Sequence, residues 1–437
     1  MTSPLGMKGG HVAPIDARVA SNVKRNTATS LTTDPWSAAF AAHAHDLQPS
    51  EIRALFAVAS RPEVVSLAGG MPYVAALNMD HVAEAVSTML RDRGLVALQY
   101  GGGQGTPELR EHILQVMAPH GIAAHIDDVV VTAGSQLALD LVIRVMCDRG
   151  DVIITESPSY VGALGVFKAA GLEVVHVPMD EQGLRPDALT ETIAAVRAAG
   201  KNPKLLYTIP SYHNPGGITQ GPQRRHDVLQ AARSAGVLVV EDDPYGLLGF
   251  DDVVPRALHA DDPEGVVYLG SFSKTIAAGV RLGWAVAPPT LRQKLVLAAE
   301  AATLCPSNFT QLTVSTLLET RPFFDQVAIF RDVYRQRRDA LLDEMEKSFP
   351  LGVHWTKPVG GFYSWITLPE GVNSKEMLPR AVENLVAYVP GTGFYADGSG
   401  RGTRELRLSY CYPEPEVVRE GVRRLAAVIN EEVASIA

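Results

Sequence analysis

Residues 270–284 read GSFSKTIAAGVRLGW, and the meaning of the whole chain turns on this stretch. It follows an apolar run of Val266, Val267, Tyr268 and Leu269, which has the length and composition of a buried strand. Just past that strand come two serines, a lysine and, seven residues on, an arginine. A lone lysine is ordinarily a solvated surface charge. Lys274 stands instead among small and apolar residues, with Arg281 within reach. Desolvation and a second cation both favour the neutral amine, the nucleophilic form suited to a Schiff base. Ser271, Ser273 and Arg281 add hydroxyl donors and a planar guanidinium fork, a donor set suited to phosphate.

Working outward, short apolar runs at 129–132, 152–155, 174–177, 205–209, 237–241 and 266–269 predict strands, most of them rich in Val or Ile. Helical patterns lie between them, for example at 136–148 and 227–235. Such alternation predicts an α/β fold with a mostly parallel sheet sandwiched by helices. Ligands of such sheets sit beyond the carboxyl ends of the strands. Residues 321–348 predict a long, charge-laced helix leading to a smaller α+β domain. Its expected strands lie near 353–355, 362–366 and 406–409, and its expected helices at 375–387 and 416–432. The domain expectation is a flexible arm at 1–45, an N-terminal segment at 46–75 that packs with the small domain, a large domain at 76–320 and the small domain at 321–437. Within the segment, 46–60 reads as a helix capped by Ser50, with Ile52, Leu55, Phe56 and Ala59 on one face.

With 437 residues the chain exceeds one ordinary domain, and 46% hydrophobic and 20% charged residues suit a globular protein. A net charge of −9 gives no global reason to expect nucleic acid or an anionic membrane as partner. Three scattered cysteines, Cys147, Cys305 and Cys411, suit free thiols in a reducing compartment. No run approaches the ~18 apolar residues of a membrane span, and no apolar core follows the N-terminal basic residues as in a secretory signal. The chain therefore reads as cytoplasmic. His43 and His45 are two apart, a spacing that shares a face only in a strand, and no metal site is expected.

Further candidates stand just past the predicted strands. Ser66 to Pro72 reads SLAGGMP; Gly69 and Gly70 imply either a positive φ or close approach of the backbone to a ligand. LQYGGGQGT at 98–106 is glycine-dense but fits neither nucleotide-binding glycine motif. Ala133-Gly134-Ser135-Gln136 opens a helix, where backbone N–H groups and the helix dipole favour an anion. Tyr160, in ESPSY, offers a ring for stacking. Asn214 lies in a turn, PSYHNPGG. Glu241-Asp242-Asp243-Pro244-Tyr245 ends a strand with three acids. Arg407, between Leu406 and Leu408, points to the face opposite them and is a natural clamp for a carboxylate.

Taken in order, S-x-S-K-x6-R, GG-x-P, Y-x-x-x-x-G (Tyr100 to Gly105), G-S-Q, E-x-P-x-Y, N-P-x-G, D-x-x-Y and the strand with Arg407 resemble the class I/II aminotransferases, fold-type I enzymes that use pyridoxal phosphate. The resemblance spans about residues 46–430, and LQYGGGQGTPELR and EDDPYG are closest in flavour to the aminoadipate/kynurenine branch. It departs in one place, where Gly216-Gly217 replaces the commoner Thr-Gly or Ser-Gly. It implies pyridoxal 5′-phosphate held by Lys274 as a Schiff base, with Asp242, rather than Asp243, on the ring nitrogen and Tyr160 stacked on the ring. Asn214 and Tyr245 would meet the phenolic oxygen. Gly134, Ser135, Gln136, Ser271, Ser273 and Arg281 would form the phosphate cup, completed by Tyr100 from the partner of a homodimer. Arg407, Gly70 and Asn214 would bind substrate. The activity implied is ping-pong amino transfer from an L-amino acid to a 2-oxo acid such as 2-oxoglutarate. With Met71, Pro72 and Tyr73 as candidates to pack its side chain, the donor is expected to be hydrophobic, aromatic or aminoadipate-like. Two alternatives stay open: another pyridoxal-phosphate reaction, such as an elimination, and a transcription regulator that fuses this domain to a winged helix, for which the N-terminal ~45 residues show no matching pattern.

Overall fold

The computed structural model describes residues 35–41, 44, 61–396 and 398–436. They belong to two units, one ending at Asp46 and the other beginning at Leu47. In the first, Pro35–Ala39 make a short 3-10 helix. His43 and His45, the rest of the expected arm and the expected helix at 46–60 lie outside the described residues.

In the second unit the strands are, in chain order, β1 (Val65–Ser66), β2 (Val129–Thr132), β3 (Val152–Ser157), β4 (Glu173–Asp180), β5 (Gly183–Leu184), β6 (Pro203–Thr208), β7 (Leu238–Asp242), β8 (Val266–Ser271) and β9 (Gly283–Val286). Strands β2 to β9 form one sheet in the order β2-β9-β8-β7-β6-β3-β4-β5. The run from β8 to β4 is parallel throughout. Strand β9 lies antiparallel between β2 and β8, and β5 is the short antiparallel partner of β4. Each of the six predicted strands is present, and the α/β fold is as expected. Strand β9 was not foreseen, because Gly-Trp-Ala-Val is short and has no alternation. It is the return stroke of the Lys274 segment and closes that segment onto β8.

Alternation along each strand dresses both faces of the sheet. Tyr207, Val240 and Val267 pack with the helices Ser135–Met146, Val161–Ala170 and Pro289–Thr303. Leu206, Val239 and Val266 pack on the other side with Pro186–Ala198 and Pro222–Ser234. The last helix begins earlier than the apolar pattern at 227–235 implied, because Pro222 takes the first helical position, where its missing N–H costs nothing.

Beyond the long helix Phe323–Ser348 come β10 (His354–Trp355), β11 (Tyr363–Thr367), β12 (Val386–Ala387), β13 (Val389–Pro390) and β14 (Glu405–Ser409). Four of these make an antiparallel sheet in the order β10-β11-β14-β13. The helix expected at 375–387 is shorter, Ser374–Glu383. Leu385 takes a left-handed backbone at φ 58°, and Val386 and Ala387 leave the helix to pair in parallel with Val65 and Ser66 of β1. The N-terminal strand is thus docked on C-terminal elements, and it leads directly to Gly69 and Gly70.

The C-terminal helix Pro415–Ile436 holds β1 from below through Gly421. A Cβ there would stand 2.6 Å from Val65 Cγ1 and 3.1 Å from Leu67 Cδ1. Gly421→Ala adds helix propensity of about 1 kcal/mol but overpacks this contact at a cost of about 1–3 kcal/mol. The urea midpoint should fall for Gly421→Ala and fall further for Gly421→Val. A midpoint that rises with alanine would mean β1 steps away freely.

Candidate active site

The ends of β7 and β8 face a cavity of about 530 Å³. Its wall is set by strand alternation at β7, where three acids in a row take three different environments. Glu241, fully buried, accepts from the backbone N–H groups of Leu258 and His259 at 2.9 Å each. Burial pushes its carboxyl up to about 7. Asp243 points to the same side as Glu241, where it meets His120 Nδ1 at 3.3 Å and accepts from Gly246 N at 2.9 Å. Asp242 points the other way, into the cavity. Its Oδ2 accepts from the Tyr207 hydroxyl at 2.7 Å, and its Oδ1 has no protein partner although it is buried. Burial raises the Asp242 carboxyl to about 6, against the lowering effect of the Tyr207 hydrogen bond.

Lys274 reaches the cavity from the turn after β8. Its Nζ donates to the Gly70 carbonyl at 2.8 Å and lies 5.5 Å from the centre of the Phe362 ring. The residue is half-buried, because its amine looks into an open cavity while protein surrounds its stem. Desolvation lowers the amine to about 8, and Arg407 and Arg281 act in the same direction. Gly70 owes its identity to close approach and not to backbone angle: its φ is not positive, and a Cβ on it would collide with the Tyr363 hydroxyl. The segment that carries it is strapped to β14 and the residues after it. Ser409 N donates to Leu67 O at 2.7 Å, Arg407 Nη2 to Ala68 O at 2.7 Å, and Cys411 Sγ to Met71 O at 3.1 Å.

One end of the cavity suits an anion. The helix Ser135–Met146 starts at Gly134, φ 89°, with no side chain capping it, so its first N–H groups are free to face a ligand. Ser135, Ser271, Ser273 and Arg281 line this end. Arg281, itself left-handed at φ 49°, donates to Ala133 O at 3.2 Å. It passes so near Gly134 that a Cβ there would sit 2.5 Å from Nη2. Ser271 Oγ accepts from Ser273 N at 3.0 Å, which orders the Ser271 hydroxyl.

The opposite end is cationic and aromatic. Arg407 is buried, donates to Asn214 Oδ1 at 2.9 Å, and lies 4.1 Å from the centre of the Tyr363 ring. No acidic side chain pairs with it among the described residues, and its Nε has no partner. The Tyr245 hydroxyl donates to that of Tyr363 at 3.4 Å. His213 lies buried beside Asn214 and turns away, its Nε2 3.2 Å from Glu156 Oε2. Tyr160 lines the cavity between these ends, its phenol pushed by burial up to about 12.

This donor set suits a flat aromatic group with a cationic nitrogen opposite Asp242 Oδ1 and a phosphate at the helix start, which is the shape and charge of pyridoxal phosphate. Gly70, Ser135, Gln136, Tyr160, Asn214, Asp242, Tyr245, Ser271, Ser273, Lys274, Arg281 and Arg407 all line the one cavity. Gly134 stands directly behind it against Arg281. Tyr100 does not join them and is 76% exposed. Met71, Pro72 and Tyr73 do not line the cavity either. Tyr73 is held by Glu414, to which its hydroxyl donates at 2.6 Å, and by the Arg337 guanidinium 3.8 Å over its ring. Sequence reasoning missed Tyr207 and Tyr363. Tyr207 looks like one more strand residue in LLYTIP, and only its place beside Asp242 distinguishes it. Tyr363 has a weak signal, since it precedes by two the residue that β14 pairs with Arg407. Among the described residues no group of three or more His, Cys, Asp or Glu is placed to hold a metal ion, and no helix is long and apolar enough to cross a membrane.

Comparison with known proteins places this geometry. Residues 62–425 match the family model described as aminotransferase class I and II. The chain is 38% identical to an aromatic-amino-acid aminotransferase of Thermococcus litoralis, covering 90% of this chain and 94% of that one. It is 39% identical to a 2-aminoadipate transaminase of Thermus thermophilus, covering 92% and 99%. The crystal structure of Pyrococcus horikoshii kynurenine aminotransferase, in complex with PMP, superposes with a TM-score of 0.87 at 34% identity, covering 92% of this chain and 100% of that one.

The lowered Lys274 amine sets a pH test that needs no turnover. A group lowered to about 8 is cationic below that pH and a free nucleophile above it. Reductive labelling of the cofactor-free protein at Lys274 by a small aldehyde should climb through pH 7–9 and level off. A rate still climbing steeply at pH 10, as for an ordinary lysine of about 10.4, would contradict the desolvated setting.

Proposed function

This chain belongs to the class I and II aminotransferases and transfers amino groups with pyridoxal 5′-phosphate, and we propose that Lys274, Asp242 and Arg407 divide the work of that reaction. The observation that carries the assignment is their convergence. A desolvated amine, a buried carboxylate with one bare oxygen and a buried guanidinium without an acidic partner face the same cavity.

Lys274 attaches the cofactor and, once displaced by substrate, its Nζ takes the proton from the amino acid's Cα and returns one on the way to product. Bound there, pyridoxal phosphate supplies the electron sink for the pair left when the Cα–H bond breaks. Asp242 keeps the ring nitrogen protonated, and the cationic nitrogen in turn neutralises a carboxylate that is costly to bury alone. Tyr160 covers a face of the ring, while Asn214 and Tyr245 serve the phenolic oxygen. Gly134, Ser135, Gln136, Ser271, Ser273 and Arg281 hold the phosphate. Arg407 clamps the α-carboxylate of donor and acceptor in turn, with Gly70 and Asn214 beside it. Donor and acceptor use one site alternately, in a ping-pong cycle.

Arg407 selects α-amino acids as a class and leaves the side chain to softer contacts, each methylene being worth only about 1–3 kcal/mol. The relatives act on aromatic amino acids, 2-aminoadipate and kynurenine. These features support a donor that is hydrophobic, aromatic or aminoadipate-like; 2-oxoglutarate is the proposed acceptor on the resemblance alone, and three free cysteines suit a reducing compartment such as the cytoplasm. A panel of amino acids with 2-oxoglutarate and pyruvate tests this directly, and several medium-sized donors should turn over at graded rates. Lys274→Ala should remove the cofactor's visible absorption and cut turnover by on the order of 10⁴-fold. Arg407→Ala should lower kcat/KM for all donors together by on the order of 100-fold. Strict use of aspartate by the wild type, or normal turnover by Lys274→Ala, would overturn the reading.

Tyr100 supports a homodimer with shared sites. Its ring is exposed along with Leu95 and Leu98 on the same stretch, and a second protomer would bring that ring to the neighbouring phosphate end. Sedimentation equilibrium should give about twice the 46.9 kDa chain mass. Full activity from a monomer would remove Tyr100 from the site.

A further inference from the structure

Strands β6 and β7 run side by side, and Tyr207 pairs with Val240. Asp242, two residues on, is therefore the diagonal neighbour of Tyr207 on the same face, a separation that a long aromatic side chain spans. The Tyr207 hydroxyl donates to Asp242 Oδ2 at 2.7 Å. Oδ1 is left as a buried oxygen with no protein partner in a residue that lines the cavity. Tyr207 is itself wholly buried, and its ring meets Phe167 edge-on at 5.5 Å between centres. The donor is thus locked from behind before it locks the carboxylate.

We propose that Tyr207 is a positioning residue for amino transfer: its hydroxyl orients the Asp242 carboxylate so that Oδ1 meets the ring nitrogen, and holds that carboxylate ionised at neutral pH. The inference rests on the reading above, in which Asp242 receives the ring nitrogen.

The charged and titratable groups around Asp242 leave Tyr207 a decisive part. Burial and the neighbouring Asp243 carboxylate favour the protonated acid, while the Tyr207 hydrogen bond and the Lys274 amine favour the carboxylate. Tyr160 faces it across the cavity, its phenol raised by burial and so neutral at pH 7, while Tyr268 of β8 lies on the other side of the strand and donates to Asp243 at 3.4 Å. Once Lys274 attaches the cofactor its free ammonium is gone, and Tyr207 is the donor to Asp242 that the protein itself supplies in both the cofactor-free and the loaded enzyme, with Oδ1 left to the ring nitrogen. The carboxyl stands at about 6, only a little below neutral pH. Loss of a hydrogen bond to a charged oxygen moves such a group up by about one to two pH units, which would leave about half or more of Asp242 protonated at pH 7.

The test measures cofactor binding to the cofactor-free protein, not turnover. Affinity is measured from pH 5.5 to 9 for pyridoxal phosphate and for its 1-deaza analogue, in which C–H replaces the ring nitrogen. The ratio of the two affinities cancels the titrations of the phosphate and of the free Lys274 amine, which are common to both, and the titration of the ring nitrogen in free pyridoxal phosphate is measured separately and subtracted. In the wild type this ratio should fall below about pH 6, as protonated Asp242 stops acting as a counter-ion. In Tyr207→Phe, which keeps the ring on Phe167, the fall should begin at least about one pH unit higher, with binding of the deaza analogue unchanged within about twofold. Fluorotyrosine at position 207, a stronger donor of nearly the same shape, should move the fall to lower pH and serves if the phenylalanine variant does not fold. An unmoved profile in the substituted proteins, or equal loss of affinity for both ligands, would reduce Tyr207 to a packing role and overturn the proposal. Asp242→Asn separates the two levels of argument: if it keeps the wild-type profile, the assignment of Asp242 to the ring nitrogen fails, whatever Tyr207 does.

Discussion

A buried carboxylate with one satisfied oxygen and one bare one is the constraint on which this structure depends. Charge removed from water is costly, by several kcal/mol for each unpaired ion. A fold accepts that cost only where something else will meet the charge. Asp242 has a tyrosine on one oxygen and only the cavity before the other. On the reverse side of the same strand, Glu241 and Asp243 are fully engaged by backbone N–H groups and a histidine. The contrast separates acids whose oxygens are all engaged by the protein from the one that presents a bare oxygen to the cavity.

The same logic extends across the cavity. Lys274 and Arg407 are cations in a wall of mixed polar and apolar side chains, and among the described residues neither is neutralised by a carboxylate at hydrogen-bond distance. Lys274 leans on the Gly70 carbonyl, and Arg407 on the Asn214 and Ala68 oxygens and the Tyr363 ring. Such contacts orient a cation without cancelling it, so both keep their capacity for a substrate or cofactor. The segment around Gly70 is held to β14 by three successive contacts, from Ser409, Arg407 and Cys411. The carboxylate clamp and the carbonyl that steers the lysine therefore belong to one mechanical unit. In the proposed reaction, a substrate gripped by Arg407 would be registered to Lys274 through that strap.

Substrate choice lies outside this polar frame. Met71, Pro72 and Tyr73 follow Gly70 in sequence but not in space, and Tyr73 is committed to Glu414 and Arg337. The apolar lining comes from Leu139, Val161 and Ile209, which belong to elements far apart in the chain. Contacts of that kind grade side chains by fit and do not exclude them by charge, in keeping with relatives that differ in amino acid while sharing the fold.

The parts of this protein that could be read from residue order are those built from local rules. Runs of valine and isoleucine marked six strands because burial on both faces needs continuous apolar sequence. Ser271, Ser273, Lys274 and Arg281 were legible because they sit on one short stretch, and Asp242 because its D-x-x-Y setting resembles the family's; alternation, which gives neighbouring acids opposite faces, is the physical reason that it is the one in the cavity. Four things were decided only by tertiary structure. Strand β9 and the break at Leu385 exist because partners far away in sequence, β2 and β1, offer pairing that local propensity does not reveal. Gly70 needs to be glycine because of a tyrosine hydroxyl nearly 300 residues later. Tyr207 is a partner of Asp242, and no mere core ring, because two parallel strands bring them into diagonal register. Residue order determines what each group is able to do; only the packing of distant segments determines which groups meet, since burial and hydrogen bonding are properties of the assembled neighbourhood and not of the chain.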